Sequence, residues 1–253
     1  MPTPFTHLET AQRMLVDECI PSDIRSALAL EKSTFLLGNV AADARTNGDL
    51  TRESTHFYSY DKGITEHPWR VMLQQNPSLC HPSSVAHRVF VAGYVAHLSI
   101  DEIWSLQMLG PHFVGREWGS NAFRFLMLHM LLIYMDERDY HTLQSWQYSA
   151  LARATPDHWL PFMNDRILTE WRDFISEQIS PDGHSQTLEV LGKRINKQPT
   201  ELRAILDSPQ QMQSDMWANI PLEVLVSVEA AMYQHACQQL CLYWNESQST
   251  PNR

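Results

Sequence analysis

The chain has 253 residues, of which 43% are apolar and 19% are charged, and it holds only 9 glycines. This composition excludes a mainly disordered, collagen-like or low-complexity protein, because such chains lack the apolar residues that a core needs. The 19 Lys and Arg against 29 Asp and Glu give a net charge of −10, which argues against binding a long polyanion through side-chain cations.

The first third of the chain predicts helices followed by a long irregular segment. Apolar residues recur at helical spacing over Leu8–Leu15 and again from Ile24 to Phe35, whereas alternating β-branched runs hardly occur. From Gly38 to Pro82 the pattern gives way to Gly, Asn, Asp, Pro and Ser, and only Trp69–Gln75 predicts a short helix. An irregular segment of that length is typical of a functional region.

The rest of the chain predicts six more helices, and the fold class is therefore all-α. We expect one helical core over residues 1–150, which holds nearly every candidate ligand, and a helical part over residues 151–253 that packs on it. The polar tail over residues 245–253 is expected to be frayed. The six predicted spans are Val85–Leu109, Trp118–Arg138, Asp139–Ala152, Trp159–Ile179, Ser185–Leu206 and Pro221–Trp244.

Targeting signals and cysteine usage favour a cytoplasmic protein. The segment from Met1 to His7 has no basic region leading into an apolar run, so we expect no secretory signal. The most apolar stretch, Phe123–Met135, is much shorter than the about 20 residues that span a bilayer, so no transmembrane segment is expected. The cysteines lack C-x-x-C spacing and are expected to be reduced and structural. They are Cys19, Cys80, Cys237 and Cys241.

The sharpest local motif is Gly93-Tyr-Val-Ala-His97-Leu-Ser-Ile-Asp101-Glu-Ile-Trp104. On a helix, His97 and Asp101 lie one turn apart and can point at the same ion. The helix is apolar nearly all round, so both side chains are expected to be buried, and a buried ionised Asp needs a paired charge or a metal. A hydrogen bond between the imidazole and the carboxylate is the alternative interpretation.

Three further residues in the N-terminal part are candidate ligands. Asp43 follows an apolar run that ends in Gly38-Asn, His56 lies between Thr55 and Phe57, and His7 precedes the first predicted apolar position. Taken singly, Asp43 also suits a turn or a helix cap, and each histidine also suits a packed hydrogen-bonded role. The chain holds 12 histidines. Neutral imidazole and carboxylate groups together are the ligands that a borderline divalent ion prefers.

Taken in order, His7, Asp43, His56, His97 and Asp101 resemble the zinc-dependent phospholipase C family. The segments that carry the resemblance are Thr6-His7-Leu8, Leu37-Gly38-Asn-Val-Ala-Ala-Asp43, Glu53-Ser-Thr-His56-Phe57 and the motif from Gly93 to Trp104, within about residues 3–115. That family shares an all-α fold with the single-strand-specific zinc nucleases. The resemblance therefore implies an all-α metal-binding core of this type over residues 1–150.

The resemblance also implies a ligand set. Asp43, His56, His97 and Asp101 would hold one zinc ion, while Asp101 would bridge to a second zinc that His7 also binds. Such a pair activates a water molecule and stabilises charge on a phosphodiester. Asp43 is the implied general base.

The sequence departs from the family at two places. The family's second zinc is also bound by the amine of a mature N-terminal Trp, whereas this sequence begins Met1-Pro2. Gln107 stands where the third zinc would have a His, so we expect the third site to be absent or rebuilt. Three other histidines, His112, His129 and His141, are secondary candidates.

Two carboxylates and two arginines complete the candidate residues. Glu53 is predicted as a second catalytic residue, acting as a base beside the metal or orienting a ligand imidazole, and Glu102 has the same alternatives. For both, a solvated charge is the competing interpretation. Arg45 and Arg52 can contact a phosphate through a forked hydrogen bond or pair with nearby carboxylates.

These observations predict a zinc-dependent hydrolase of phosphoric esters. The expected substrate is a small phosphoester or a phospholipid head group, and the expected enzyme is a phospholipase C-like phosphodiesterase. A nuclease is less expected, because no basic groove would hold a long nucleic acid. The alternative is a non-catalytic or regulatory all-α protein with a structural or vestigial metal site.

Overall fold

Helices make up all the regular secondary structure of residues 1–47 and 50–248, which are the residues that the computed structural model describes. The all-α prediction is confirmed. The first five helices are α1 (Pro4–Met14), α2 (Ser22–Leu30), α3 (Lys32–Val40), α4 (Arg52–His56) and α5 (Pro68–Gln75). Short 3₁₀ helices follow α3 and α5, at Ala41–Asn47 and Pro77–Cys80.

The remaining helices follow in two groups. The first comprises α6 (Val85–Ile103), α7 (Asn121–Tyr140), α8 (Ser145–Leu151) and α9 (Asp165–Gln178). The second comprises α10 (Thr187–Ile195), α11 (Pro199–Leu206), α12 (Pro209–Gln211) and α13 (Leu222–Gln248). Wider π-helical turns extend α6 over Trp104–Val114 and α12 over Met212–Trp217.

Two spans that were predicted as single helices are divided in the structure. The backbone leaves the helical region at Glu31 (φ −104°, ψ 34°), which separates α2 from α3. Asn196 adopts a left-handed conformation (φ 53°, ψ 49°) and ends α10. Asn tolerates this conformation better than most residues do, and Pro199 then starts α11 at a position that requires no N–H donor.

Other boundaries also differ from the predicted ones. The segment from Gly38 to Pro82 holds more helix than predicted, including α4, while the helix predicted at Trp69–Gln75 is present as part of α5. The helix predicted to start at Asp139 begins at Ser145, and the one predicted from Trp159 begins at Asp165. The predicted frayed tail is helical through residue 248, and residues 249–253 lie outside the described residues.

Helix α6 is the centre of the fold. Every residue from Val89 to Ile103 is buried, and α3 and α13 make the most extensive contacts with α6 among the described elements. Helix α9 packs on the 3₁₀ helix after α3, and the Trp171 indole there donates a hydrogen bond to the Val40 carbonyl at 2.8 Å. Helices from both halves of the chain therefore surround α6 and α3.

A pair of glycines allows α3 and α6 to approach closely. A Cβ atom on Gly38 would lie 2.2 Å from the Phe90 carbonyl oxygen, and one on Gly93 would lie 2.6 Å from the Phe35 carbonyl oxygen. Both positions therefore require a residue without a side chain. The close approach brings the Asn39 carbonyl within 2.8 Å of His97 Nδ1, so the helix crossing itself positions a candidate ligand.

Among the described residues, no helix is both long enough and apolar enough to cross a membrane. All four cysteine thiols are free.

Candidate metal centre

The five side chains singled out by their order in the sequence lie together in the structure. His7 lies on α1, Asp43 on the 3₁₀ helix after α3, and His56 is the last residue of α4. His97 and Asp101 lie one turn apart on α6. Asp101 is central, because its carboxylate faces all three imidazoles.

The distances within this buried cluster suit ligands around an ion. Asp101 Oδ2 lies 3.4 Å from His56 Nε2 and 3.6 Å from His97 Nε2. Asp101 Oδ1 lies 3.7 Å from His7 Nε2, and Asp43 Oδ1 lies 3.6 Å from His56 Nε2. Hydrogen bonds to nitrogen are mostly shorter, at about 2.7–3.2 Å. Two ligands of a tetrahedral ion with bonds of about 2.0 Å stand about 3.3 Å apart, which fits the observed separations better.

Six of the polar atoms that converge here have no hydrogen-bond partner. His56 Nε2, His97 Nε2, both ring nitrogens of His7 and both carboxylate oxygens of Asp101 are buried without a hydrogen bond. Each such atom costs roughly 1–3 kcal/mol when left unsatisfied, so a protein retains several together only where something else binds them. A divalent cation is the partner that imidazole nitrogens and carboxylate oxygens share. These residues can therefore hold a metal ion.

Backbone and hydroxyl contacts orient two of the imidazoles. His97 Nδ1 donates to the Asn39 carbonyl at 2.8 Å, which leaves Nε2 with its lone pair towards the cluster. The Thr55 hydroxyl donates to the Arg52 carbonyl and lies 2.9 Å from His56 Nδ1, so His56 Nδ1 is the donor and Nε2 again carries the lone pair. Contacts of this kind on the outer nitrogen are typical of metal-binding histidines.

Local structure fixes the two ligands that lie outside α6 and the 3₁₀ helix. Thr51 caps α4 by accepting a hydrogen bond from the Ser54 amide at 3.2 Å, and Phe57 ends that helix in a left-handed conformation (φ 60°) directly after His56. Helix α1 is tied down by the Thr6 hydroxyl, which donates to Asp139 at 2.7 Å. His7 is therefore held on the buried side of α1.

Protonation in the cluster also suits metal binding. Burial and the adjacent His97 lower the pKa of His7 to about 3, although Asp101 and Asp43 act in the opposite direction. Burial raises the pKa of Asp101, but His97, His56 and His7 outweigh this effect and hold it at about 2. At neutral pH His7 is thus neutral and Asp101 is ionised, which are the forms that bind a metal. Burial lowers the pKa of His97, but Asp101 outweighs this effect and raises it, so a bound ion would have to displace a proton there.

The ligand atoms form two overlapping groups. His56, His97 and Asp101 each offer an atom within 4.8 Å of the others, and so do His7, Asp43 and His97. The rings of His7 and His97 are stacked, with centroids 3.8 Å apart. The resemblance implies that His7 shares an ion with Asp101. In the structure His7 also lies close to Asp43 and His97, the other members of the second group. This arrangement can hold one ion or two adjacent ions.

The cluster borders a cavity of about 750 Å³. Asp43 lines this cavity and is 13% exposed, whereas the side chains of His7, His56, His97 and Asp101 are fully buried. The polar end of the wall includes Arg45, Arg52, Tyr58 and Tyr60, and the apolar part includes Leu109, Phe125, Leu128, Leu132, Trp171, Phe174, Ile175 and Leu191. Asp43 is thus the ligand through which the cavity reaches the cluster.

Three arginines, Arg45, Arg52 and Arg194, line the cavity together with Asp43. The Arg52 guanidinium donates to the Tyr58 hydroxyl at 2.5 Å and stacks over the rings of Tyr58 and Tyr60, 4.2 and 4.3 Å from their centroids. The Nε atoms of Arg45 and Arg52 are buried without a hydrogen-bond partner. The wall therefore presents positive charge next to the cluster.

Several other predicted residues do not join the cluster. Glu53, predicted as a second catalytic residue, lies in the first turn of α4 with its side chain exposed. An acidic residue is favourable at that position because it faces the amide dipoles of the helix N-terminus. Glu53 is therefore not among the residues that the structure brings together in the cluster. Glu102 is buried but contacts His67 and His235 instead.

The histidines considered for a third site also lie elsewhere. His129 Nδ1 donates to the Phe125 carbonyl at 2.8 Å in its own helix, as expected for a hydrogen-bonded core histidine. His112 lies in the turn after α6, and His141 is exposed directly after α7. The described residues therefore show no third group built from these positions.

The residues that form the apolar wall of the cavity cannot be recognised in the sequence. Trp171, Phe174 and Ile175 on α9 and Leu191 on α10 line the cavity, but in the sequence their helical spacing is the same as that of ordinary core residues. Asn39 was also missed, because its contribution is a backbone carbonyl. The Gly38-Asn39 pair at the end of an apolar run is the feature of the sequence that could have indicated the role of Asn39.

Comparison with known proteins yields no matching family model, no matching curated protein and no matching solved structure. The function of the site must therefore be argued from its geometry and chemistry.

A buried carboxylate beside the cavity gives a prediction for stability. Asp136 on α7 accepts hydrogen bonds from the hydroxyls of Thr3 and Thr187, and burial raises its pKa from 3.8 to about 7. The folded protein thus keeps Asp136 protonated up to about pH 7, whereas the unfolded chain ionises it near pH 4. The stability that Asp136 contributes is complete below pH 4, falls as the pH rises to 7 and is constant above it.

We expect Asp136→Asn to remove this loss. A pKa difference of about three units corresponds to about 4 kcal/mol. The free energy of unfolding of the variant, relative to that of the wild type, should therefore increase by up to about that amount between pH 4 and pH 8. Urea unfolding at several pH values measures it. Asp173→Asn, at a 60% exposed side chain, is the control. An unchanged difference across this range would contradict the prediction.

Proposed function

We propose that this chain is a metal-dependent hydrolase of phosphoric esters, specifically a zinc-dependent, phospholipase C-like phosphodiesterase. The observation that carries the proposal is the convergence of unpartnered, buried imidazole and carboxylate atoms next to a cavity lined by three arginines. Three or more nitrogen and oxygen ligands from separate segments, with a path to a cavity, are typical of a catalytic metal site.

The metal would be held by His7, Asp43, His56, His97 and Asp101. When bound, a divalent ion in such a site makes a water molecule acidic and stabilises negative charge on phosphate oxygens. Its positive charge would also compensate the carboxylates of Asp43 and Asp101. It would thus supply positive charge at the site in a chain whose net charge is −10.

Asp43 is the residue of the cluster that faces the substrate space. Burial raises its pKa, but the neighbouring imidazoles of His56, His97 and His7 outweigh burial and hold the pKa well below its usual value. The carboxylate is therefore ionised at neutral pH. In the proposed reaction an Asp43 oxygen accepts the proton of the attacking water and keeps that water oriented towards the phosphorus.

The shape and polarity of the cavity support an amphiphilic phosphoester as substrate. The arginines at the polar end would bind phosphate oxygens, since guanidinium groups form forked hydrogen bonds with them. Aromatic and aliphatic side chains of α7, α9 and α10 would enclose an apolar group attached to the phosphate. A volume of about 750 Å³ is within the range of small-molecule sites, and a long nucleic acid has no basic groove to follow.

One observation favours a second candidate, a non-catalytic all-α protein with a structural or vestigial metal site. The side chains of His7, His56, His97 and Asp101 are completely buried, as is common for ions that never exchange water. In that case the cavity would serve a purpose unrelated to the metal.

Turnover of phosphodiesters by the metal-free and zinc-loaded chain separates the two candidates. We expect zinc-dependent release of nitrophenol from p-nitrophenyl phosphorylcholine, and a lower KM for a phosphodiester that carries an alkyl chain. A chain that binds zinc stoichiometrically yet hydrolyses neither substrate would establish the non-catalytic alternative. A chain that binds no divalent metal would exclude both.

Arg45→Gln is expected to raise KM for the phosphodiester with a smaller effect on kcat. A charge-assisted hydrogen bond is worth roughly 1.5–3 kcal/mol, so the increase should be about tenfold or more. Steady-state kinetics of the zinc-loaded variant measure it, with Arg166→Gln, at a 76% exposed side chain, as the control. An unchanged KM would show that Arg45 does not bind the phosphate.

A further inference from the structure

A second group of metal-ligating side chains lies outside the buried cluster. Glu102 on α6, His67 at the start of α5 and His235 on α13 come together from three distant parts of the chain. His67 Nδ1 lies 2.8 and 3.1 Å from the two Glu102 oxygens, and His235 Nε2 lies 3.2 Å from Oε2. The three ligand atoms all lie within 4.8 Å of one another.

The carboxylate of this group is buried between the two imidazoles. The Glu102 side chain is 6% exposed, and the ion-pair contacts found for it within the described residues are with His67 and His235, not with a lysine or arginine. A buried carboxylate is best stabilised by a paired charge or a metal ion, and imidazole and carboxylate together are a ligand set for such an ion.

The scaffold already holds the ligands in place. Glu102 and His235 lie in the interiors of α6 and α13, which pack extensively on each other, and His67 precedes Pro68 at the first turn of α5. An ion would require the distances between Glu102 and the two imidazoles to grow by only a few tenths of an ångström, to the about 3.3 Å expected for tetrahedral coordination. Binding therefore needs little rearrangement of the chain.

The group is also open to solvent on one side. The His67 side chain is 38% exposed and that of His235 is 16% exposed. An ion can therefore enter from the surface, and water can complete its coordination. This distinguishes the group from the buried cluster, whose ligands are reached from the cavity.

We propose that His67, Glu102 and His235 form a second metal site, which binds a borderline divalent ion such as Zn²⁺ or Co²⁺ and ties α5, α6 and α13 together. Two imidazoles and one carboxylate favour these ions over Mg²⁺ and Ca²⁺, which prefer oxygen ligands alone. The site clamps the start of α5 against the helix that carries His97 and Asp101. The proposal does not depend on the proposed hydrolase activity.

Cobalt titration of the metal-stripped chain tests this site, with visible absorption and metal content as readouts. We expect His235→Asn and His67→Asn each to lose one equivalent of Co²⁺ relative to the wild type, while Asp101→Asn retains that equivalent. Affinity at the site should fall by more than the 10–100-fold that loss of an outer partner causes. His184→Asn, which changes an exposed histidine outside both groups, should bind as the wild type does.

Thermal unfolding with and without Zn²⁺ separates a metal site from a hydrogen-bonded clamp. A metal site predicts that the stabilisation by Zn²⁺ is smaller in His235→Asn than in wild type, by mass action. A clamp alone predicts that the variant is destabilised equally with and without Zn²⁺. The proposal is overturned if both histidine variants bind as many equivalents as the wild type and show the same stabilisation by Zn²⁺.

Discussion

Asp101→Asn is expected to abolish metal binding in the buried cluster and to lower phosphodiester hydrolysis by at least about a thousandfold. The Asp101 carboxylate lies within 4 Å of His7, His56 and His97, and an amide is a far weaker ligand than a carboxylate. The metal contributes several kcal/mol to the transition state, and each 1.36 kcal/mol is tenfold in rate. Steady-state rates and metal content of the purified variant, with Asp173→Asn as the control, measure the effect.

The same substitution should also reduce the stabilisation of the fold by zinc. An ion that binds the folded chain stabilises it by mass action, and Asp101 contacts all three imidazoles of the cluster. We therefore expect zinc to raise the free energy of unfolding of the wild type by more than that of Asp101→Asn, as measured by urea unfolding with and without the ion. Equal stabilisation of both proteins by zinc would contradict the metal-site interpretation.

Gly38→Ala is expected to destabilise the fold by about 3 kcal/mol or more and to disturb the cluster. The new Cβ would lie 2.2 Å from the Phe90 carbonyl oxygen and 3.1 Å from the Gly93 Cα, and both atoms belong to backbone that cannot rotate away. Overpacking a core costs typically 1–3 kcal/mol, and a backbone clash of this kind lies at or above the upper end. Helix α3 would have to move away from α6, which would separate the Asn39 carbonyl from His97 Nδ1.

Unfolding by urea and zinc affinity together measure the consequences of Gly38→Ala. Gly110→Ala is a milder comparison, because its Cβ would meet only the Ser105 carbonyl oxygen, at 3.1 Å. A Gly38→Ala protein with unchanged stability would show that α3 and α6 do not approach as closely as the structure has them. Lost stability with unchanged zinc affinity would show that the crossing does not position His97.

The sequence was most informative where local periodicity decides the outcome. One helical turn separates His97 from Asp101, so their shared direction followed from the apolar pattern around them. Asp43, His56 and His7 were ambiguous singly, and only their order along the chain indicated that they would meet. All five lie together in the structure.

Long-range packing accounts for what the sequence did not predict. Glu53 and Glu102 are both acidic residues near predicted ligands, yet one is exposed and the other is buried against His235, which lies on α13. The cavity wall from α9 likewise depends on how that helix packs on the 3₁₀ helix after α3. Helix ends at Glu31 and Asn196 depend on the backbone conformations of single residues that periodicity does not register.

Anomalous X-ray scattering from a zinc-loaded crystal tests the central claim most directly. Data collected above and below the zinc absorption edge locate every bound zinc ion without reference to activity. The account predicts an anomalous peak about 2.0–2.2 Å from His56 Nε2, His97 Nε2 and an Asp101 oxygen, the distances at which zinc binds nitrogen and oxygen ligands. Ordered zinc elsewhere with no peak among these three residues, or no bound zinc at saturating concentration, would contradict it.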